Sequence, residues 1–120
     1  MISVIFHLKL NEMIPVVNRF LIHKYYNGVT VWPFVLMRHK ALKDNLVFMN
    51  HEKIHLRQQI ELLVLPFYIW YLLEFIVRLF QYKNWDLAYR NISFEREAYA
   101  NEKDLNYIKK RPFWVFRNYL

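Results

Sequence analysis

The hydrophobic pattern changes period several times along the chain, and those changes divide it. Residues 1–28 are apolar with scattered polar breaks, and Pro15 and the pair Asn27-Gly28 read as stops. Residues 29–37, Val-Thr-Val-Trp-Pro-Phe-Val-Leu-Met, are rich in β-branched and aromatic side chains and predict a strand. Pro33 has no N–H to offer a ladder, so that strand is expected at a sheet edge or around a bulge. A charged connection runs from Arg38 to Asn45, with Asp44 or Asn45 available to cap the segment beyond it.

From Leu46 to Leu65 there is no Gly or Pro, and apolar residues at 46, 49, 54, 56, 60, 63 and 64 keep a helical period. Pro66 is expected to end or kink this helix. A second, strongly apolar helix is predicted from Phe67 to Tyr82. Residues 83–92 form a more polar connection with room for one helical turn around Trp85 and Asp86. Ser93 reads as the N-cap of a last helix, with Glu95, Arg96 and Glu97 in its first turn. That helix is expected to reach Lys110, and Pro112 closes it. The aromatic tail from Phe113 to Leu120 is expected to pack back on the body. No repeat or linker marks a second domain, so residues 1–120 read as one α+β domain, mainly helical.

Composition narrows the function classes. With 56% apolar and 22% charged residues the chain can build a core, which excludes intrinsic disorder. The absence of Cys excludes a disulfide scaffold, a thiolate metal site and a Cys nucleophile. A net charge of +7 suits nucleic acid or an anionic membrane face. Nucleic acid calls for a dense basic stripe. Here the basic residues are scattered, with one short cluster at Lys109, Lys110 and Arg111, so no nucleic-acid partner is expected. The N-terminal residues lack a basic start, a long apolar run and a small-residue cleavage site, so a cytoplasmic location is expected.

Candidate chemistry sits at His51-Glu52-Lys53-Ile54-His55. On a helix, two His four residues apart project from one face and can hold one zinc ion through ring nitrogens. Glu52 lies about 100° around the helix from His51, placed to take a proton from activated water and pass it on. A catalytic zinc site takes three protein ligands. Carboxylates at Glu61, Glu74, Asp86, Glu95, Glu97, Glu102 and Asp104 are the downstream candidates. In the last helix Glu95, Ala98, Tyr99 and Glu102 share a face, and small Ala98 permits close approach to the His-bearing helix. Glu95 is therefore favoured as the third ligand, with Glu97 next.

H-E-x-x-H with E-x-x-A on a later helix resembles the gluzincin-type zinc metallopeptidases. The segment Glu95-Arg96-Glu97-Ala98 is most similar to the CAAX-processing proteases and their small relatives. The resemblance implies a minimal zincin-like fold, in which the H-E-x-x-H helix packs on a C-terminal Glu-bearing helix beside a short N-terminal β element. It implies His51, His55 and Glu95 as Zn2+ ligands and Glu52 as general base. Tyr99 stands where those relatives carry Asp. The chain also resembles small uncharacterised bacterial proteins that share the Asn50–Gln59 core and the Ile92–Tyr99 segment.

Tyr99, Tyr89 and Tyr107 are candidates to donate a hydrogen bond to a developing oxyanion, with Tyr99 the catalytic candidate. Gln58 and Gln59 are candidates to orient ligands, and Asn50 to cap or line the site. His7, His23 and His39 lack ligand spacing and read as structural or exposed. The apolar run 62–73 is too short to span a bilayer, and Glu74 and Arg78 suit a helical ion pair, so burial against the His-bearing helix is expected. Peripheral contact with an anionic membrane is the competing expectation for its aromatics.

These residues suit two functions. One is a zinc-dependent peptidase acting on peptide or protein substrates, with an extended substrate beside residues 29–37. The other is a catalytically inactive, metal-stabilised binding or membrane-peripheral module.

Overall fold

The structure is a computed structural model that describes residues 13–22 and 26–120. His7 and His23 lie outside the described residues. Three short strands form one sheet, β1 (Ile14–Val17), β2 (Gly28–Val31) and β3 (Phe34–Met37), in the order β1-β3-β2. β1 runs parallel to β3, and β2 pairs with it antiparallel. The expected single strand over 29–37 is thus a hairpin. Trp32 and the cis-bonded Pro33 make its two-residue turn, where no ladder N–H is required. Pro15 does not stop the first strand. Ile14 and Asn18 donate inward to the carbonyls of Pro33 and Met37, so Pro15, in the alternate phase, needs no partner on the open edge.

Helix α1 (Leu46–Glu61) carries the H-E-x-x-H string and is capped by Asn45, whose side chain accepts from Phe48 N–H at 3.0 Å. β2 lies close against it. Gly28 permits this contact, since a Cβ there would strike the Phe48 ring and stand 2.9 Å from the Leu36 carbonyl oxygen. α1 ends at Glu61, and Leu63 and Val64 reverse the chain with φ of 60° and 65°. α2 (Leu65–Tyr82) then leaves at 112° to α1. Pro66 sits in the first turn of α2, where its missing N–H costs nothing, so it opens the second helix instead of kinking the first.

α3 (Trp85–Arg90) is capped by Asn84 and fills the connection where one turn is expected. α4 (Ser93–Asn101) begins at Ser93 itself, with Ile92 in the cap position. The Ser93 N–H and hydroxyl both reach the Glu74 carboxylate of α2, so a neighbouring helix supplies the cap. α4 is shorter than expected. Asn50 Nδ2 of α1 donates to the carbonyls of Glu102, at 2.8 Å, and Asp104, at 3.0 Å, and these bonds tie down the chain where α4 ends. A separate short helix, α5 (Tyr107–Lys110), precedes Pro112.

The fold is therefore mainly helical with N-terminal strands, and α1 packs against the Glu-bearing α4. Ile54 and Ala98 meet in a fully buried contact, as the small side chain at 98 predicts. Phe67, Ile92, Phe94 and Phe116 form a second cluster, which anchors the C-terminal tail. Arg111 is buried between Glu97 and Glu61, bonding Glu61 at 2.6 Å and Glu97 through two nitrogens. Helix α2 departs from expectation. Only Phe67 and Glu74 are buried along it, and most of its apolar side chains face outward. The expected Glu74–Arg78 pair is present, at 3.5 Å. Among the described residues no single helix is long and apolar enough to cross a membrane, although α1 and α2 together pass by length and composition.

Candidate metal centre

Three side chains from two helices converge on one point. His51 Nε2, His55 Nε2 and Glu95 Oε1 form a triangle with edges of 3.1, 3.1 and 3.2 Å. The i, i+4 spacing on α1 aligns the two rings, and the Ile54–Ala98 contact brings α4 near enough to deliver Glu95. All three residues are buried. Among the described residues no other group of three or more His, Asp or Glu side chains converges in this way.

Protons can be placed from the surrounding bonds. Gln58 Nε2 donates to the Phe94 carbonyl at 3.1 Å and to Glu97 Oε1 at 2.9 Å, so its Oε1 faces His55 Nδ1, 2.8 Å away. His55 Nδ1 therefore carries a hydrogen. His51 Nδ1 faces the Glu102 carboxylate at 2.9 Å and carries one for the same reason. Tyr71 O–H donates to Glu95 Oε2 at 3.0 Å, which turns Oε1 toward the rings. Each inward atom then presents a lone pair, and three electron-rich atoms about 3 Å apart are stable only around a cation, either a proton or a metal ion.

Burial and charge act against each other here. Burial alone would raise the Glu95 carboxyl, yet the two imidazoles beside it hold it well below the usual carboxylate range. Burial alone would lower His55, but Glu95, through its charge and hydrogen bond, lifts it to about 9.

The geometry suits a metal ion. Ligand atoms about 2.05 Å from one ion at tetrahedral angles stand about 3.3 Å apart, close to the edges observed. Two imidazoles and one carboxylate, each with its far atom bonded to a neighbour, make a zincin-like metal-binding cluster that suits a divalent cation.

Glu52 is buried beside this cluster. The Thr30 hydroxyl donates to its Oε2, which links strand β2 to the motif. Burial raises the Glu52 carboxyl, and His55 and Thr30 offset only part of the effect. Two cavities meet at Glu52. The larger, about 610 Å³, is walled by Tyr68, Tyr71, Leu72, Phe75 and Trp85 and reaches His55 and Glu95. The smaller, about 320 Å³, is more polar and is bounded by His51, Arg90, Tyr99 and Glu102. Tyr26, Gly28 and Tyr89 line both.

The other candidates divide by position. Glu97 faces away from the histidines and binds Arg111, Gln58 and Tyr107. Tyr107 is occupied there too, bonding Glu97 at 2.8 Å. Tyr99 packs edge-on to the His51 ring at 4.6 Å, with the Arg90 guanidinium 5.1 Å from its own ring centre. Gln59 spans Thr30 and Trp32 on the edge of β2, bonding both backbones at 2.8 Å. Asn50 holds the chain after α4, and His39 is exposed. Sequence reasoning missed Tyr71 and Thr30. One of nine tyrosines and a lone strand threonine carry no local signal, since tertiary contact alone selects them.

Compared with known proteins, the chain matches no family model, and no curated protein or solved structure matches it significantly.

Proposed function

We propose that this chain is a metal-dependent hydrolase that cleaves peptide bonds, with His51, His55 and Glu95 holding a zinc ion. The observation that supports it most is the convergence of three outward-anchored lone pairs beside a buried carboxyl, Glu52, at the junction of two cavities. The resemblance to gluzincin-type metallopeptidases points the same way. When bound, such an ion supplies Lewis acidity, acidifying water and polarising a carbonyl.

The protein's own groups do the rest. Gln58, Glu102 and Tyr71 fix the far sides of the three ligands, so their inward atoms need no reorganisation. Glu52 takes the proton from the attacking water and returns it to the leaving amine. Burial raises its pKa, the direction that makes a carboxylate a stronger base. The Thr30 hydroxyl orients it. Burial raises the Tyr99 and Tyr89 hydroxyls above the ordinary tyrosine value, so both stay protonated donors. Tyr99 is assigned to hydrogen-bond the substrate from the polar lobe. Gly28 and Val29 of β2 line the cleft short of the Thr30 carbonyl and Trp32 N–H that Gln59 occupies, which leaves the start of the strand for an extended peptide, and the aromatic side of the larger cavity accepts a bulky apolar side chain.

The test uses Glu52→Gln against a peptide library, with metal content measured in parallel. Turnover should fall by about 10²–10⁴-fold while one metal ion per chain is retained. Undiminished turnover in that variant removes Glu52 from the mechanism. A metal-loaded wild type without turnover favours the second reading, a metal-stabilised binding module, which draws on the way the ligands tie α1 to α4.

A further inference from the structure

Among the described residues, the outer face of α2 is a surface feature that neither the core nor the cleft explains. Ile69, Leu72, Leu73, Ile76, Val77 and Phe80 are between 42% and 80% exposed. At 100° per residue they fall within one arc of the helix, and no polar residue of α2 interrupts that arc. On an ordinary surface helix this face is the charged one. The two charged residues of α2, Glu74 and Arg78, lie on the opposite side, paired with each other, and Glu74 also holds the start of α4. The helix is thus oriented with its apolar side outward, and a contiguous apolar face of this kind marks a docking surface.

Charge decides what docks there. Five of the ten acidic residues, Glu52, Glu61, Glu74, Glu95 and Glu97, are buried. Among the described residues ten Lys and Arg side chains are exposed, against two exposed acids, Asp44 and Asp86. The exposed surface of the described residues is therefore more basic than the net charge suggests. A second copy would bring two strongly basic bodies together, whereas an anionic lipid surface offers apolar depth and opposite charge at once. Lys83 comes directly after the helix, and exposed Tyr82 and Trp85 stand at the same end, a pairing that suits the headgroup region. We propose that α2 lies in the interface of an anionic membrane with this face buried among the acyl chains. The proposal goes beyond the hydrolase reading and does not depend on it. It has one consequence for the site. Leu72 belongs both to the face and to the wall of the aromatic lobe, so the cleft opens next to the lipid.

Flotation of the full chain with phosphatidylcholine vesicles, with and without phosphatidylglycerol, tests the proposal. Wild type should float with the anionic vesicles, and added salt should weaken the association. Leu73→Glu combined with Ile76→Glu should reduce flotation by more than about tenfold, because two charges enter the apolar arc. Leu105→Glu, an exposed apolar site elsewhere, should float as wild type does. Circular dichroism checks that helix content is kept. If the acidic pair unfolds the chain, Leu73→Ser with Ile76→Ser replaces it. Wild type that stays unbound at low salt, or a double variant that floats equally well, overturns the proposal. So does a stable dimer by light scattering that the double variant dissociates without any flotation, since the face then belongs to a second copy.

Discussion

At the scale of single residues, the metal cluster is a question of where protons go. With Nδ1 of both rings donating outward, the inward atoms need a positive charge between them. In metal-free protein that charge is a proton on His55, held by Glu95. Its pKa of about 9 lies above the ordinary 6.5, so the bond's contribution to stability is complete below about pH 6.5 and is lost as pH rises through about 9. Thermal melts of metal-free protein should therefore show a falling Tm across that window. Metal must displace the same proton, so the Tm gain on adding zinc should grow with pH over the same range. A metal-free Tm that rises between pH 6.5 and 9 contradicts the assignment.

At the scale of elements, the site depends on how α1 meets its neighbours. One asparagine secures three carbonyls around the end of α4, the most distant at 3.4 Å. Asn50→Ala should cost about 0.5–1.5 kcal/mol by removing a donor from part-buried carbonyls, of which those of Asn101 and Asp104 keep backbone donors, and urea unfolding at fixed metal concentration measures it. Metal affinity should fall as well, because Glu95 and Glu102 ride on that helix and its end. β2 is placed by a different device, the absence of a side chain at Gly28, which lets the strand approach Phe48 and bring Thr30 to Glu52.

At the scale of the molecule, the tail and the metal cluster are joined through the interior. His55 bonds Gln58, Gln58 bonds Glu97, and Glu97 shares Arg111 with Glu61. Arg111→Ala takes the buried cation from two buried carboxylates, leaving Glu61 with Arg57 at 3.9 Å and Glu97 with only the neutral donors Gln58 and Tyr107, and should destabilise the protein by about 3–5 kcal/mol, readable as a large drop in Tm. A metal ion held at the cluster would act on the same body, since His51 and His55 lie on α1 and Glu95 on α4. At free zinc of 100 times Kd, the metal contributes about 2.7 kcal/mol, and chelator should remove that stabilisation in a reversible melt. A Tm indifferent to chelator would show that nothing is bound at the cluster.

Much of the candidate site is legible in the residue order alone. His51, Glu52 and His55 share a helix because i, i+4 spacing is local geometry, and the face of Glu95, Ala98, Tyr99 and Glu102 comes from the same period. The helical segments are legible too, because Gly, Pro and apolar period act over a few residues. Pro33 marks the right stretch but not the right feature, since a bulge and a two-residue turn look alike until the partner strand is in place. The end of α4 lies beyond local signals, because the asparagine that secures it is about fifty residues earlier. Long-range contacts also select Tyr71 and Thr30 from many equivalents. The outward turn of α2 is decided at the largest scale. An apolar helix can bury its stripe or present it, and here the inner side is taken by Phe67 and its aromatic neighbours together with Glu74 and Arg78, with Glu74 held against α4. Short-range periodicity therefore specified the candidate ligands and their helices, while packing between distant segments determined which neighbours orient them and which face meets the surroundings.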